Sequence, residues 1–278
     1  MNFLTEDFER VNNSSGLLKL SLSESSKKTL VIDQSLNLDL ELNNGAELNI
    51  IEIYKGQGAQ QAKHSIKLAE GGRLNYALLQ LCENDSEVDY ELNCEQKDKS
   101  EFNFDSFAFG AKAFKKSINV HLNGERSQCD LKGLFCADSD RKVEEKILVK
   151  HSVPNCQSSQ LYRGLFQEKG QGVFDGKILV EHGASGSLAF QNNRNLVLDK
   201  TAKIETRPQL EIYTDDVQCA HGATTGQIDE NALFFLRARG FPKGEAHKLL
   251  VRAFAREVIQ NFKYDECREL IQKAIFKD

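Results

Sequence analysis

Cys219 and His221 are the residues of this chain whose types and spacing best suit chemistry. Set two apart in Gln218-Cys219-Ala220-His221-Gly222, they would project from the same side of an extended strand, because strand side chains alternate between faces. Thiolate and imidazole both ligate iron, and mixed Cys/His sets hold some iron–sulfur clusters. Two donors do not close a cluster site, which takes four, so the others would come from elsewhere in the chain or from a partner. The competing reading is structural: a small buried thiol, and a histidine in a turn before glycine.

Other reactive residue types form no such set. Asp215 and Asp216 are adjacent, so on a strand they face opposite ways and read as solvated acids rather than an acid/base pair. His64, His121, His151, His182 and His247 have no partner at ligand spacing. Lys169-Gly170-Gln171-Gly172 lacks the Gly-Lys-Ser/Thr ending of a phosphate loop, which argues against nucleotide hydrolysis by this chain. Ser127 and Ser185 sit in no nucleophile-elbow sequence. Gln191-Asn192-Asn193-Arg194-Asn195 reads as a polar corner whose amides bond the backbone.

Composition narrows the function classes. At 278 residues and 40% apolar content, the chain suits one large domain with an appendage, or two smaller ones. A net charge of -5 argues against a nucleic-acid partner, which needs a concentrated basic surface. No run of eighteen apolar residues predicts a membrane span, and Met1-Asn2-Phe3-Leu4-Thr5-Glu6-Asp7 has no secretory signal character. The expectation is a cytoplasmic protein. Its seven cysteines form no C-x-x-C pair, which excludes a zinc ribbon and points to reduced, buried thiols.

The elements that must position Cys219 and His221 fall into three parts: a short N-terminal segment (1–16), a β core (17–226) and a helical tail (227–278). A brief helix over Glu6 to Val11 is one reading of the first part. The core alternates with period two, as in Leu36, Leu38, Leu40 and Leu42 before the turn at Asn43-Asn44-Gly45. The alternation then slips repeatedly by one residue: Leu48 and Ile50 give way to Ile51 and Ile53, Leu74 and Tyr76 to Leu79 and Leu81, Phe102 and Phe104 to Phe107 and Phe109. If one face is always inside, each slip requires a bend. Strands that bend at corners predict a β-solenoid, with a β-sandwich as the alternative and no strict short repeat visible. No helical period interrupts the core, so a parallel sheet fed by crossover helices is excluded.

In the tail, Asp229 is placed to cap a helix that Gly240 ends. Two further amphipathic helices follow, over about 245–262 and 264–276, the first with a stripe of Ala246, Leu249, Leu250, Ala253, Phe254 and Val258. Such a tail either covers the open strand edges of a solenoid or docks a partner, with Leu249, Leu250 and Phe254 as anchors.

Several stretches resemble the SufB/SufD family of iron–sulfur cluster assembly subunits, on the SufD side of it. They are Phe174-Asp175-Gly176-Lys177-Ile178-Leu179-Val180, Gln191 to Leu196, Asp215 to Gln227 and Ala253-Phe254-Ala255-Arg256-Glu257-Val258-Ile259. The resemblance implies a right-handed β-helix with a C-terminal helical domain. It also implies a non-catalytic scaffold that pairs with a SufB-like subunit and docks SufC, an ABC-type ATPase, through its helices. On that reading His221, with Cys219, falls at an interfacial site where a transient cluster forms with ligands from the partner. The family's longer helical N-terminal region has no counterpart here, and Ala220 stands where the family commonly has Ser. The alternatives are a self-pairing SufB-like homodimer and, from another class, a β-helix carbohydrate-active enzyme, which would need acids on the solenoid wall.

Overall fold

The computed structural model describes residues 8–10, 16–22, 28–32, 36–82 and 85–276. Its strands, in chain order, begin with β1 (Phe8–Arg10), β2 (Leu17–Leu22), β3 (Lys28–Ile32), β4 (Asn37–Leu42), β5 (Glu47–Tyr54) and β6 (Ala59–Leu68). There follow β7 (Arg73–Gln80), β8 (Glu87–Gln96), β9 (Glu101–Ala108), β10 (Ala113–Leu122), β11 (Gln128–Ala137) and β12 (Lys142–His151). The last are β13 (Gln157–Phe166), β14 (Gln171–Val180), β15 (Ser187–Val197), β16 (Lys203–Ile212) and β17 (Val217–Gly226). Odd strands stack in one parallel sheet, here sheet A, from β1 to β17; even strands stack in a second, sheet B, from β2 to β16. Each strand therefore pairs with the strand one coil away rather than with its chain neighbour, which makes the core a β-solenoid.

The corners come from the backbone. Gly45, Gly71, Lys99, Arg126, Asn155 and Gly186 all have positive φ and recur one per coil, and the N–H groups of all but Arg126 bond the next coil, as in Gly45 N–H to Glu70 O and Asn155 N–H to Ser185 O, both 2.8 Å. Left-handed geometry makes glycine the easy choice here, yet three of the six carry side chains. That explains why no sequence repeat announces the coil.

The one-residue slips are not corners. β5 runs straight from Glu47 to Tyr54, with Leu48 and Ile50 in the interior and Ile51 and Ile53 in a second apolar cluster. β7 and β9 repeat this: Leu74, Tyr76, Phe102 and Phe104 point inward, Leu79 and Phe107 outward. Asp105-Ser106, between the two phenylalanine pairs, lies within β9. The solenoid is present, but the slips report a sheet buried on both faces.

What covers the outer face of sheet A is the helical tail. Asp229 caps α1 (Glu230–Ala238), accepting the Asn231 N–H at 2.8 Å, and α2 (Lys243–Ile259) and α3 (Asp265–Phe276) follow. Ala255, Val258, Ile259, Phe262, Cys267 and Ile271 bury themselves against Ile51, Leu79, Phe107 and Leu134. Polar ties fix the dock. Arg163, a buried residue of β13, makes paired bonds to Glu257 of α2 at 3.1 and 2.6 Å, and Asp105 accepts the Lys263 N–H at 2.8 Å. The tail thus lies on a sheet face and leaves the β16 and β17 edges uncovered by any described strand. The stripe of α2 is rotated from expectation: Leu249 and Ala253 are exposed. Where the sequence suggested a short helix near Glu6, residues Phe8–Arg10 form β1, paired with β3; the other residues of that stretch lie outside the described set apart from these three.

Candidate functional site at the open end

Among the described residues β17 is the last strand of sheet A and pairs only with β15. Its register sets Cys219 opposite Ala189 and His221 opposite Gln191. Ala189 is wholly buried, and Cys219 packs against the small cluster of Ile178, Val180, Ala184 and Ala189. Cys219 therefore occupies an inward column, and by strand parity His221 belongs to the inward side too. With no further coil above them, Cys219 is half-buried and His221 exposed. Among the described residues the interior side of the solenoid is thus open to solvent at this end, and it presents one thiol and one imidazole.

Electrostatics at Cys219 favour the thiol. Burial pushes its pKa up, with a backbone hydrogen bond at Ala189 opposing, so a metal would have to displace a proton on binding. The other six cysteines are buried. Among the described residues no group of three or more His, Cys, Asp or Glu side chains comes together in metal-binding geometry. Two donors are what this end offers. Asp215 and Asp216 are exposed in the bend before β17, and the Asp216 carbonyl accepts the Gly186 N–H at 2.7 Å.

The Gln191 to Asn195 run is not a corner. It is the middle of β15, with Gln191, Asn193 and Asn195 buried. Asn195 Nδ2 donates to Asn193 Oδ1 at 2.7 Å, which also accepts from the Thr206 hydroxyl at 3.0 Å. On the same strand Phe190 faces out and is 44% exposed. The sheet A side of the last coils' interior is therefore polar, while Phe174, Ile178 and Val180 keep the sheet B side apolar.

Two buried ionic groups escaped the sequence reading because their members are far apart in the chain. His64 accepts the Leu38 N–H at Nδ1 (3.2 Å), which leaves Nε2–H to donate to Glu52 at 3.0 Å. The Tyr54 and Tyr76 hydroxyls donate to the same carboxylate. Lys116 lies 2.7 Å from Glu145 with both side chains sealed from solvent; burial lowers the lysine pKa and raises that of the glutamate, each opposed by the other's charge. Only register brings these residues together.

The anchors expected on the tail separate. Leu249 is 41% exposed, Leu250 is half-buried, and Phe254 packs into the tail–sheet cluster beneath Arg163, whose guanidinium is 6.0 Å from its ring. The surface the sequence reading missed is on α1 and the turn after it. Phe234 is 71% exposed, Phe235 is covered on one face by Arg239, and Phe241 is also exposed. Adjacent phenylalanines on a nine-residue helix with Leu233 as its buried residue were the available signal.

The architecture is thus a parallel β-solenoid whose last coil no described strand covers, with a helical tail on one wall. The family model described as SUF system FeS cluster assembly, SufBD core domain, matches residues 26–254, and the chain belongs to that family. It is 32% identical over 227 residues to the iron–sulfur cluster assembly protein SufD of Escherichia coli, covering 80% of this chain and 53% of that protein. It is 36% identical over 174 residues to an iron–sulfur cluster assembly SufBD family protein of Mycobacterium leprae (60% and 44%), and 27% identical over 236 residues to the chloroplastic protein ABCI7 of Arabidopsis thaliana (82% and 49%). The chain spans about half the length of these curated relatives. No helix among the described residues is long and apolar enough to cross a membrane.

Proposed function

We propose that this chain is a SufD-like scaffold subunit of an iron–sulfur cluster assembly complex, without catalytic chemistry of its own. It joins a SufB-like subunit through its last coil and docks the SufC ATPase through its helices. The observation that carries the reading is the open end: Cys219 and His221 stand on an inward column that no further strand closes, beside a β17 edge with unpaired backbone groups. A partner strand would satisfy that edge, and a partner's side chains would supply the ligands that two donors lack. A cluster held across two chains can be built when they meet and released when they part.

The helical docking surface fits α1 and its turn better than Phe254. Phe234, Phe235, Phe241 and Leu249 are exposed, while Phe254 is engaged with the chain's own sheet. Aromatic residues beside Arg237 and Arg239 are the composition typical of interface anchors.

Copurification from cells, followed by iron and sulfide analysis, tests the reading. A SufB-like paralogue and an ABC-type ATPase are expected with the chain; a self-paired chain with the ATPase instead would mean a homodimeric scaffold. His221→Ala should leave the complex assembled and lower its cluster content, and normal content would refute the site. Phe234→Asp should release the ATPase from a folded chain, and full retention would refute the α1 surface.

A further inference from the structure

Three asparagine pairs stack between coils with one polarity, whereas Gln96 Nε2 donates forward to the Gln128 carbonyl at 2.9 Å. On the outer face of sheet A, Asn103 Nδ2 donates to Asn75 Oδ1, and Asn75 Nδ2 to Asn49 Oδ1, both at 3.0 Å. On sheet B, Asn119 Nδ2 donates to Asn93 Oδ1 at 2.9 Å. Each of these asparagine amides donates to the coil before it, so its carbonyl oxygen is held for the coil after it.

Gln191 obeys the same rule inside the solenoid. Its Nε2 donates to Gln160 Oε1 at 2.9 Å. Its Oε1 is buried and has no hydrogen-bond partner. The in-register position on the following coil is His221, one strand spacing away, about 4.8 Å between backbones. The amide's location is built in: a Cβ at Gly176 would lie 2.3 Å from Gln191 Nε2, so glycine there makes its room.

We infer that Gln191 is a positioning residue for His221: its Oε1, unpaired in this structure, accepts one imidazole N–H when the exposed His221 ring turns toward it, and so fixes which ring nitrogen keeps the lone pair that faces the partner. A neutral imidazole donates from one nitrogen and accepts or ligates with the other, and an outer hydrogen bond of this kind orients a histidine ligand. The inference deepens the proposed cluster site and rests on it for its purpose, but the hydrogen bond itself does not depend on metal. It also gives a partner to a buried acceptor that stands unpaired in this structure, in an interior where most polar groups are satisfied.

The test is long-range proton–nitrogen NMR on the full chain with labelled histidine at pH 8, the His221 signals assigned by their loss in His221→Asn. Wild type should show a single neutral tautomer at His221. Gln191→Glu, which keeps an acceptor oxygen, should preserve it. Gln191→Leu, and Gly176→Ala, which displaces the amide without removing it, should each give the mixture of an unconstrained imidazole. A mixture in wild type overturns the inference with no variant needed, as does a single tautomer that persists in a folded Gln191→Leu. A single tautomer that depends on Gln191, in a chain whose His221→Ala variant still builds clusters normally, supports this inference and refutes the cluster-site reading instead.

Discussion

Asp105 is the point where the helical tail and the solenoid wall can be made to bind more tightly by removing a charge. It sits on β9 beneath the turn between α2 and α3, 5% exposed, and its Oδ2 accepts the Lys263 N–H at 2.8 Å. Burial raises its pKa from 3.8 to about 6, against the lowering effects of that hydrogen bond and of Lys132. The folded state therefore holds this proton more tightly than the unfolded chain. Stability from Asp105 is fully present below the ordinary value, declines as pH rises from 3.8 towards about 6, and is lost above it. That interval corresponds to about 3 kcal/mol of cost at neutral pH. Asp105→Asn keeps an acceptor for Lys263 and never ionises, though its amide has its own desolvation cost of about 1–2 kcal/mol. The variant should exceed wild type by about 1–2 kcal/mol at pH 8 and lose that advantage by pH 4. Urea denaturation of both proteins across that range measures it, and the difference between them cancels every other titrating group. A variant less stable than wild type at pH 8, or a difference that does not change with pH, would refute the reasoning.

Three further outcomes follow from the same contacts. Arg163→Ala removes the paired bonds to Glu257 and those to the Tyr162 carbonyl and Asn192, both 2.8 Å; it should cost about 2–4 kcal/mol, seen as faster amide exchange in α2 with interior strands still protected. Phe254→Asp buries a carboxylate in the tail–sheet cluster and should loosen the whole tail, so any loss of the ATPase comes with increased exchange in α2 and α3, unlike Phe234→Asp. Lys116→Met leaves Glu145 sealed without its partner and should cost about 3–5 kcal/mol in denaturation, most of it recovered by adding Glu145→Leu.

Much of the architecture was legible, for reasons that did not all hold. Period-two alternation identified the strands because one face of each is always interior, as in β4. The slips at Leu48–Ile53 and Phe102–Phe109 were real signals misassigned: they record apolar residues on both faces of sheet A, and only the position of the tail says why. Strand parity at Cys219 and His221 could be read from spacing alone. What could not be read is register. Nothing local in Gln191-Asn192-Asn193 distinguishes a polar corner from a strand whose amides point inward, and nothing near His64 predicts Glu52 as its partner. Both depend on which residue lies one coil away, and coils whose corners accept Lys, Arg and Asn as readily as Gly leave no fixed period to count.

The walls and the end of this solenoid offer different chemistry. Much of the outer face of sheet A is covered by α2 and α3, although Phe190 on β15 stays exposed. The outer face of sheet B is a wet surface of cross-coil pairs such as Lys63 with Glu91 and Lys177 with Glu211, each worth little in solvent. The interior of the middle coils is sealed, so its ionic groups meet no reactant. At the last coil these conditions change together: the backbone edge lacks a neighbour, the inward column becomes accessible, and its residues turn from Leu and Phe to Gln, Cys and His. The two-chain site proposed above would use all three, and a stacked parallel core provides them only where the stacking stops.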